Sequence, residues 1–437
     1  MATELRRTLT ARDIAVITCG TVIGSGIFLT PGGVLRNSGS VGVSMLVWLG
    51  GGILTLLGAL TYAELGCSRP GAGGLYAYLR DAFGPIAAFT FGWTLFVVIA
   101  SGSAATLAVA AGDNLAAVMP LGAIGKKAVA VALLAGLAVL NVRGTRLSTN
   151  ALGIATLLKV GVLALLIVAL PLLGDGWSGV ASYSPAARSG SVLSGALLAM
   201  VSVLWAYEGW QYATFVGGEV IEPQRNFPRG LVLGVGAVVV IYVLVNLGYL
   251  AALGPEGVAA STAVASESAA AVFGPAAGRL VAVPVLIAII SATQALVLTA
   301  SRVFHTMALD RTFFAILGEV HPRFGTPATS IVALSAWSAV LALTGTFDVL
   351  LTYVVFIAWV FYGLGGVALI LFRRRDPDLP RPMTVPLYPL TPIIFVLSAA
   401  VIVVNTMVDD PVRAMIGIVA TLSAVPIYFI WGRRRPR

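Results

Sequence analysis

Residues 20–33 read Gly20-Thr21-Val22-Ile23-Gly24-Ser25-Gly26-Ile27-Phe28-Leu29-Thr30-Pro31-Gly32-Gly33. This run lies in an otherwise apolar stretch, 13–36, long enough to cross about 30 Å of hydrocarbon at 1.5 Å per residue. Each interior glycine weakens a helix by about 1 kcal/mol relative to alanine, so the spacing predicts a membrane helix that breaks near its centre.

A second stretch predicts the same defect. Residues 192–220 would make about 43 Å of helix, more than a bilayer needs. A break at Ala206-Tyr207-Glu208-Gly209-Trp210 would absorb the excess. Freed backbone groups are tolerated at membrane depth only where they face protein or a polar cavity, so two broken helices at matching places mark a candidate site. Taken alone, Gly24, Ser25 and Gly26 could serve only close helix packing; the pairing with the second break argues against that reading.

Outward from these breaks the whole chain has membrane character. Of 437 residues, 58% are hydrophobic and 10% charged, against roughly 25% charged in a soluble domain. Twelve spans are predicted, at 13–36, 41–65, 84–112, 123–141, 149–172, 192–220, 229–252, 276–304, 328–344, 348–372, 387–407 and 411–431. Five spans per half start the second half on the opposite side of the membrane. This makes 13–172 and 192–372 inverted repeats, with 387–431 outside them and short termini at 1–12 and 432–437. The first span is too long and too glycine-rich for a signal peptide and is followed by no cleavage site, so it is expected to be retained.

The net charge of +9 follows the membrane rather than nucleic acid. With the N-terminus inside, 20 basic residues fall on cytoplasmic segments and 6 outside, namely Arg36, Lys126, Lys127, Arg188, Arg279 and Arg413, while Lys159 lies within a span. This is the positive-inside bias, with both termini cytoplasmic in a cell membrane. The clusters Arg373-Arg374-Arg375 and Arg433-Arg434-Arg435 sit just past span ends, where anionic lipid favours them. Cys19 and Cys67 offer no extracellular disulfide, and His305 and His321 form no metal-ligand cluster, so neither metal nor cofactor is expected.

Two antiparallel broken helices supply both signs of partner that a zwitterion needs: N–H groups and positive dipole ends at N-termini, carbonyls at C-termini. The N–H groups around Ser25, Gly26 and Ile27 are expected to hold a carboxylate. The carbonyls of Val22, Ile23, Trp205 and Ala206 are expected to accept an ammonium. Trp205 and Tyr207 flank the second break as candidate lid or pocket walls, and Gly209 sits within it.

Lys159 lies about 15 Å into its span, where an ionisable group normally faces a cavity and a partner. A fixed cation there could replace a bound sodium ion, or it could relay a proton. Glu208, inside the second break, could sense a substrate ammonium or pair with Lys159, and the sequence leaves both open. Glu64 and Glu219 lie near span ends, where basic loops could pair with them. Among the polar residues of spans 7 and 8, Asn246, Thr293 and Gln294 read as interhelical glue. Tyr242 and Ser291 are kept as weak site candidates.

GTVIGSGIFLTP (20–31), RPGAGGLYAYLRDAFGP (69–85) and WAYEGWQYATFVGGEVIEPQRNFP (205–228) resemble the amino acid-polyamine-organocation superfamily and its L-type amino acid transporter branch. The resemblance runs across spans 1–10, with the motifs in the same order. It implies an all-α integral membrane protein of the LeuT-type five-plus-five inverted repeat, with helices 1 and 6 broken and helices 11 and 12 appended. It also implies a gating role for Trp205 and a former sodium site at Lys159. Residues 113–122, DNLAAVMPLG, lack the cysteine through which human members bond a heavy-chain partner, so this chain, similar to shorter prokaryotic relatives, is expected to work without one.

The expected function is sodium-independent exchange of neutral amino acids, with proton-coupled symport or transport of cationic amino acids or polyamines as alternatives. No paired aspartates, histidine cluster or nucleophile motif points to an enzyme. No ring of like charges points to a channel.

Overall fold

The computed structural model describes residues 7–71, 73–116, 119–180, 183, 191–345 and 347–432. Arg6, Arg188, Ala117 and Val118 of the 113–122 segment, and the tail 433–437 with Arg433, Arg434 and Arg435 lie outside the described residues.

The described chain is helical throughout, with one isolated β-bridge between Leu9 and Val220. The helices are α1 (Ala11–Val22), α2 (Gly26–Leu29), α3 (Pro31–Ser38), α4 (Val41–Ser68), α5 (Leu75–Phe83), α6 (Pro85–Thr94), α7 (Ala100–Ala116), α8 (Ala123–Val142) and α9 (Thr145–Leu173). They continue as α10 (Val192–Ala206), α11 (Pro223–Ala260), α12 (Val264–Phe273), α13 (Pro275–Leu309), α14 (Ala328–Thr344), α15 (Phe347–Arg375), α16 (Leu390–Asp409), α17 (Pro411–Leu422) and α18 (Ala424–Gly432). Among the described residues ten helical stretches are long and apolar enough to cross a membrane.

These ten coincide with ten of the twelve predicted spans. The other two are helical as well, but shorter or interrupted. The stretch 328–344 is the shorter apolar helix α14. The stretch 411–431 is two helices, because Pro426 lacks an N–H and its ring collides with the carbonyl four residues back, which interrupts the helix at Ser423. Span 3 also departs from expectation: residues Leu95–Ile99 between α6 and α7 are π-helical, a local widening common at functional sites.

Local chemistry sets the helix ends. Thr10 Oγ1 accepts from Asp13 N at 3.4 Å while Thr10 N donates to the Asp13 carboxylate at 2.9 Å, a reciprocal cap for α1. Ser40 and Ser191 cap α4 and α10 through their hydroxyls.

Both predicted breaks are present. The first lies at Ile23-Gly24-Ser25, between α1 and α2, and the second at Tyr207-Glu208-Gly209, after α10. The second limb of span 6, Trp210–Glu219, is a ten-residue 3₁₀ helix instead of the expected α-helix. Such long 3₁₀ runs are uncommon and often mark a hinge or a sequence under strain.

At the end of the bundle where the chain enters, three contacts staple the helices. Thr8 N and Leu9 N donate to Glu219 O at 2.8 and 2.9 Å, and Ile221 N returns a bond to Leu9 O at 2.8 Å. Arg302, fully buried on α13, donates to Glu219 Oε1 at 2.9 Å and to Thr145 Oγ1 at 2.8 Å. Glu64, fully buried on α4, accepts from Arg373 Nε and Nη2 at 2.7 and 2.6 Å and from Val385 N at 2.6 Å. Both carboxylates thus have basic partners as expected. Arg302, however, comes from inside span 8 rather than from a loop, and its burial went unforeseen.

The two breaks touch. A Cβ on Gly26 would lie 2.5 Å from Ala206 Cα, and Gly209, at φ +117°, lies against the backbone of Thr21. Gly26→Ala therefore forces the breaks apart. The expected cost is about 1–3 kcal/mol of stability, read as a lowered unfolding temperature in detergent. Gly42→Ala, whose Cβ meets nothing within 4 Å, serves as the neutral control.

Candidate functional site

Breaking α1 leaves its last carbonyls without intrahelical partners. Lys159 Nζ, fully buried on α9, donates to Gly20 O at 2.9 Å, Ile23 O at 2.7 Å and Ser291 Oγ at 2.9 Å, so its three N–H bonds meet three acceptors. Ser291 in turn donates to Ala288 O at 3.0 Å. Tyr242 on α11 places its hydroxyl 3.0 Å from Val22 O and 3.1 Å from Ala206 O. One hydroxyl proton is shared between the ends of both broken helices.

These contacts engage the carbonyls of the expected ammonium site. Of its four carbonyls, Ile23 O is held by Lys159, Val22 O by Tyr242 and Gly24 N, Ala206 O by Tyr242, and Trp205 O by Glu208 N. None of the four stands vacant: Val22 O already has two donors, while Ile23 O and Ala206 O, with one each, keep a second lone pair. The N–H groups of Ser25, Gly26 and Ile27 open a helix, where intrahelical partners are lacking. Ser25 Oγ is buried with no hydrogen-bond partner among the described residues.

A cavity of about 30 Å³, room for roughly two waters, lies between the breaks. Its walls include the expected Val22, Gly24, Ser25, Gly26, Trp205, Glu208 and Gly209. Ile23, Ile27, Ala206, Lys159, Tyr242 and Ser291 do not line it. Tyr207 is also turned away: its ring packs edge-on against Trp48 at 6.1 Å and its hydroxyl donates to Trp48 O at 3.3 Å.

The remaining wall residues went unread in the sequence. They are Thr21, Ser103 and Leu107 of α7, Tyr212 of the 3₁₀ limb and Leu296 of α13. The run of small and polar residues Ser101-Gly102-Ser103-Ala104-Ala105, in the middle of span 3, was the available signal.

Glu208 and Lys159 are not partners. Glu208 Oε1 accepts from Gln211 Nε2 at 2.7 Å and from the Tyr362 hydroxyl at 2.5 Å, all three side chains being buried. Both bonds land on Oε1, and the residue keeps 8% of its surface on the cavity side. Of the other polar residues, Gln294 bonds Ser148 of α9, and Thr293 and Asn246 bond their own helices. No group of histidine, cysteine or acidic residues able to hold a metal occurs among the described residues.

Comparison with known proteins follows this geometry. Residues 9–431 match the family model described as amino acid permease. The chain is 31% identical to the b(0,+)-type amino acid transporter 1 of Mus musculus, covering 98% of this chain and 90% of that protein. It is likewise 31% identical to the cystine/glutamate transporter of Homo sapiens, over 99% and 87% of the two chains. The large neutral amino acids transporter small subunit 2 of Homo sapiens is also 31% identical, over 95% and 78%.

Replacing Lys159 with Met keeps an apolar chain of similar length and removes every donor. The Gly20 and Ile23 carbonyls then lie unpaired in an apolar interior, at about 1–3 kcal/mol each. The expected outcome is a lowered detergent unfolding temperature, with Ser291→Ala, which removes one acceptor of three, shifting it far less. Equal shifts for the two variants would show that the lysine does not hold the end of α1.

Proposed function

The chain belongs to the amino acid permease family, and from that premise we propose a sodium-independent amino acid exchanger working by alternating access between its two broken helices. It is a membrane transporter of amino acids and not an enzyme. The observation that carries the proposal is the Lys159 ammonium at 2.7–2.9 Å from the end of α1 and from Ser291. A resident cation with three bonds repels a metal ion from the same place and ties α9 to α1 without one.

In this reading the substrate carboxylate lies against the N–H groups of Ser25, Gly26 and Ile27, with Ser25 Oγ as a further donor. The ammonium lies at the carbonyl ends of the two broken helices and takes the second lone pair of Ala206 O, since Val22 O already has two donors. Trp205 covers the substrate. In this reading the cavity between the breaks changes shape as the two broken helices move, which admits and releases the amino acid.

The same reading takes α14 and the α17–α18 pair as crossings, giving twelve. The LeuT-type inverted repeats then occupy 13–172 and 192–372, with 387–431 appended, and the positive-inside bias favours both termini in the cytoplasm, with the chain in the plasma or inner membrane. The 113–122 segment supplies no cysteine for a disulfide to a second subunit, so the chain acts without one.

Purified protein in liposomes tests this. Uptake of labelled alanine, serine or leucine should require unlabelled amino acid inside and be indifferent to sodium and to a pH gradient. Concentrative uptake into empty vesicles driven by the pH gradient would replace exchange with proton coupling.

A second reading concerns substrate range and rests on Glu208. Its Oε1 is fixed by Tyr362 and Gln211, while Oε2 receives no bond from the described residues and the side chain lines the cavity. A carboxylate so placed extends the range from neutral to cationic side chains. Glu208→Gln should then weaken arginine exchange by about tenfold or more, the worth of one charge-assisted bond, and leave leucine exchange nearly unchanged. Equal losses for the two substrates would restrict Glu208 to structural support.

A further inference from the structure

The start of α11 carries two arginines that the transport site does not use. Arg225 and Arg229 are both exposed, one helical turn apart, and neither side chain forms a hydrogen bond or ion pair with the described residues. They line an open cavity of about 850 Å³ together with Val232 and Leu233 of the same helix and Pro382 and Met383 of the loop after α15.

The opposite wall is held in place. Met383 O lies 3.8 Å from Cys67 Sγ, and Val385 N donates to the buried Glu64 carboxylate at 2.6 Å. The groove therefore has one wall on a membrane helix and the other on a loop pinned to α4. Beyond it, Leu233, Val240 and Leu244 continue the face of Arg229 up the helix at 68%, 58% and 41% exposure. Their spacing of seven and four residues keeps them on one side.

Charge at the membrane edge and an apolar stripe running into the hydrocarbon from the same point match one chemistry. We propose that this groove binds an anionic phospholipid, its phosphate between Arg225 and Arg229 and an acyl chain along Leu233, Val240 and Leu244. A free phosphate would satisfy the guanidiniums but would gain nothing from the stripe. A zwitterionic lipid would bring its own cation against two arginines. Glu222, a single acidic charge, lines a smaller neighbouring cavity that Arg225 shares with Arg7.

The test uses the full-length protein in detergent, with native mass spectrometry and thermal unfolding as readouts. Phosphatidylglycerol should stay bound and raise the unfolding temperature, whereas phosphatidylcholine of the same chain length should do neither. The double variant Arg225→Gln/Arg229→Gln should lose about tenfold or more in phosphatidylglycerol retention, and Arg225→Lys/Arg229→Lys should keep most of it. Equal retention of the two lipids by the unsubstituted protein would overturn the proposal, a result that does not depend on any variant folding. So would undiminished retention by the glutamine variant, or displacement of the lipid by inorganic phosphate that chloride of equal ionic strength does not reproduce.

Discussion

In hydrocarbon every backbone N–H and C=O must find its partner within the protein, and α1 stops at Val22 with its last carbonyls open. The Lys159 ammonium closes two of them. A buried cation is itself expensive, by several kcal/mol, unless all its protons are bonded. Here each cost offsets the other: the carbonyls give the ammonium what water would have given it, and the ammonium lets the helix end inside the membrane. Everything else at the site depends on that helix being able to stop where it does.

The second break relies on the same economy with a weaker group. Ala206 O shares the Tyr242 hydroxyl with Val22 O, so one phenol completes the ends of both broken helices, and each helix end is fixed relative to the other. Close approach is possible because Gly26 has no side chain to meet Ala206, and because Gly209 adopts a φ of +117° against Thr21. The two breaks thus belong to helices whose relative position is set by few, replaceable hydrogen bonds. That arrangement lets a small ligand shift the balance between two packings.

The breaks were legible in the sequence because glycine clusters and surplus length are local signals. Lys159 was legible because a charge deep in a span is rare. Its partners were not: Gly20 and Ile23 are distant in sequence, and nothing local told whether the lysine would face Glu208 or the end of α1. Glu208 found Gln211 and Tyr362 instead, and Tyr362 lies 154 positions away. The 3₁₀ limb at 210–219 was hidden for another reason, since its apolar composition suits an α-helix and only the tertiary packing tightens it. Arg302 was missed because its span was read as running to 304, which placed it among the basic residues at the membrane edge, when the folded chain buries it against Glu219.

The staples at the entry end define what opening would cost. Breaking a dry ion pair such as Arg302–Glu219 by removing one partner strands a charge, at about 3–5 kcal/mol. Opening a path to that end, however, admits water to both groups at once, and hydration replaces most of what the pair supplied. The Leu9–Val220 bridge behaves alike, since its backbone groups are satisfied equally by each other or by water. Polar staples therefore hold this end shut while dry and oppose its opening weakly once wetted, which an apolar seal would not do. A transporter that cycles between closed and open forms needs that asymmetry, and buried charges at this end provide it more readily than a larger hydrophobic core.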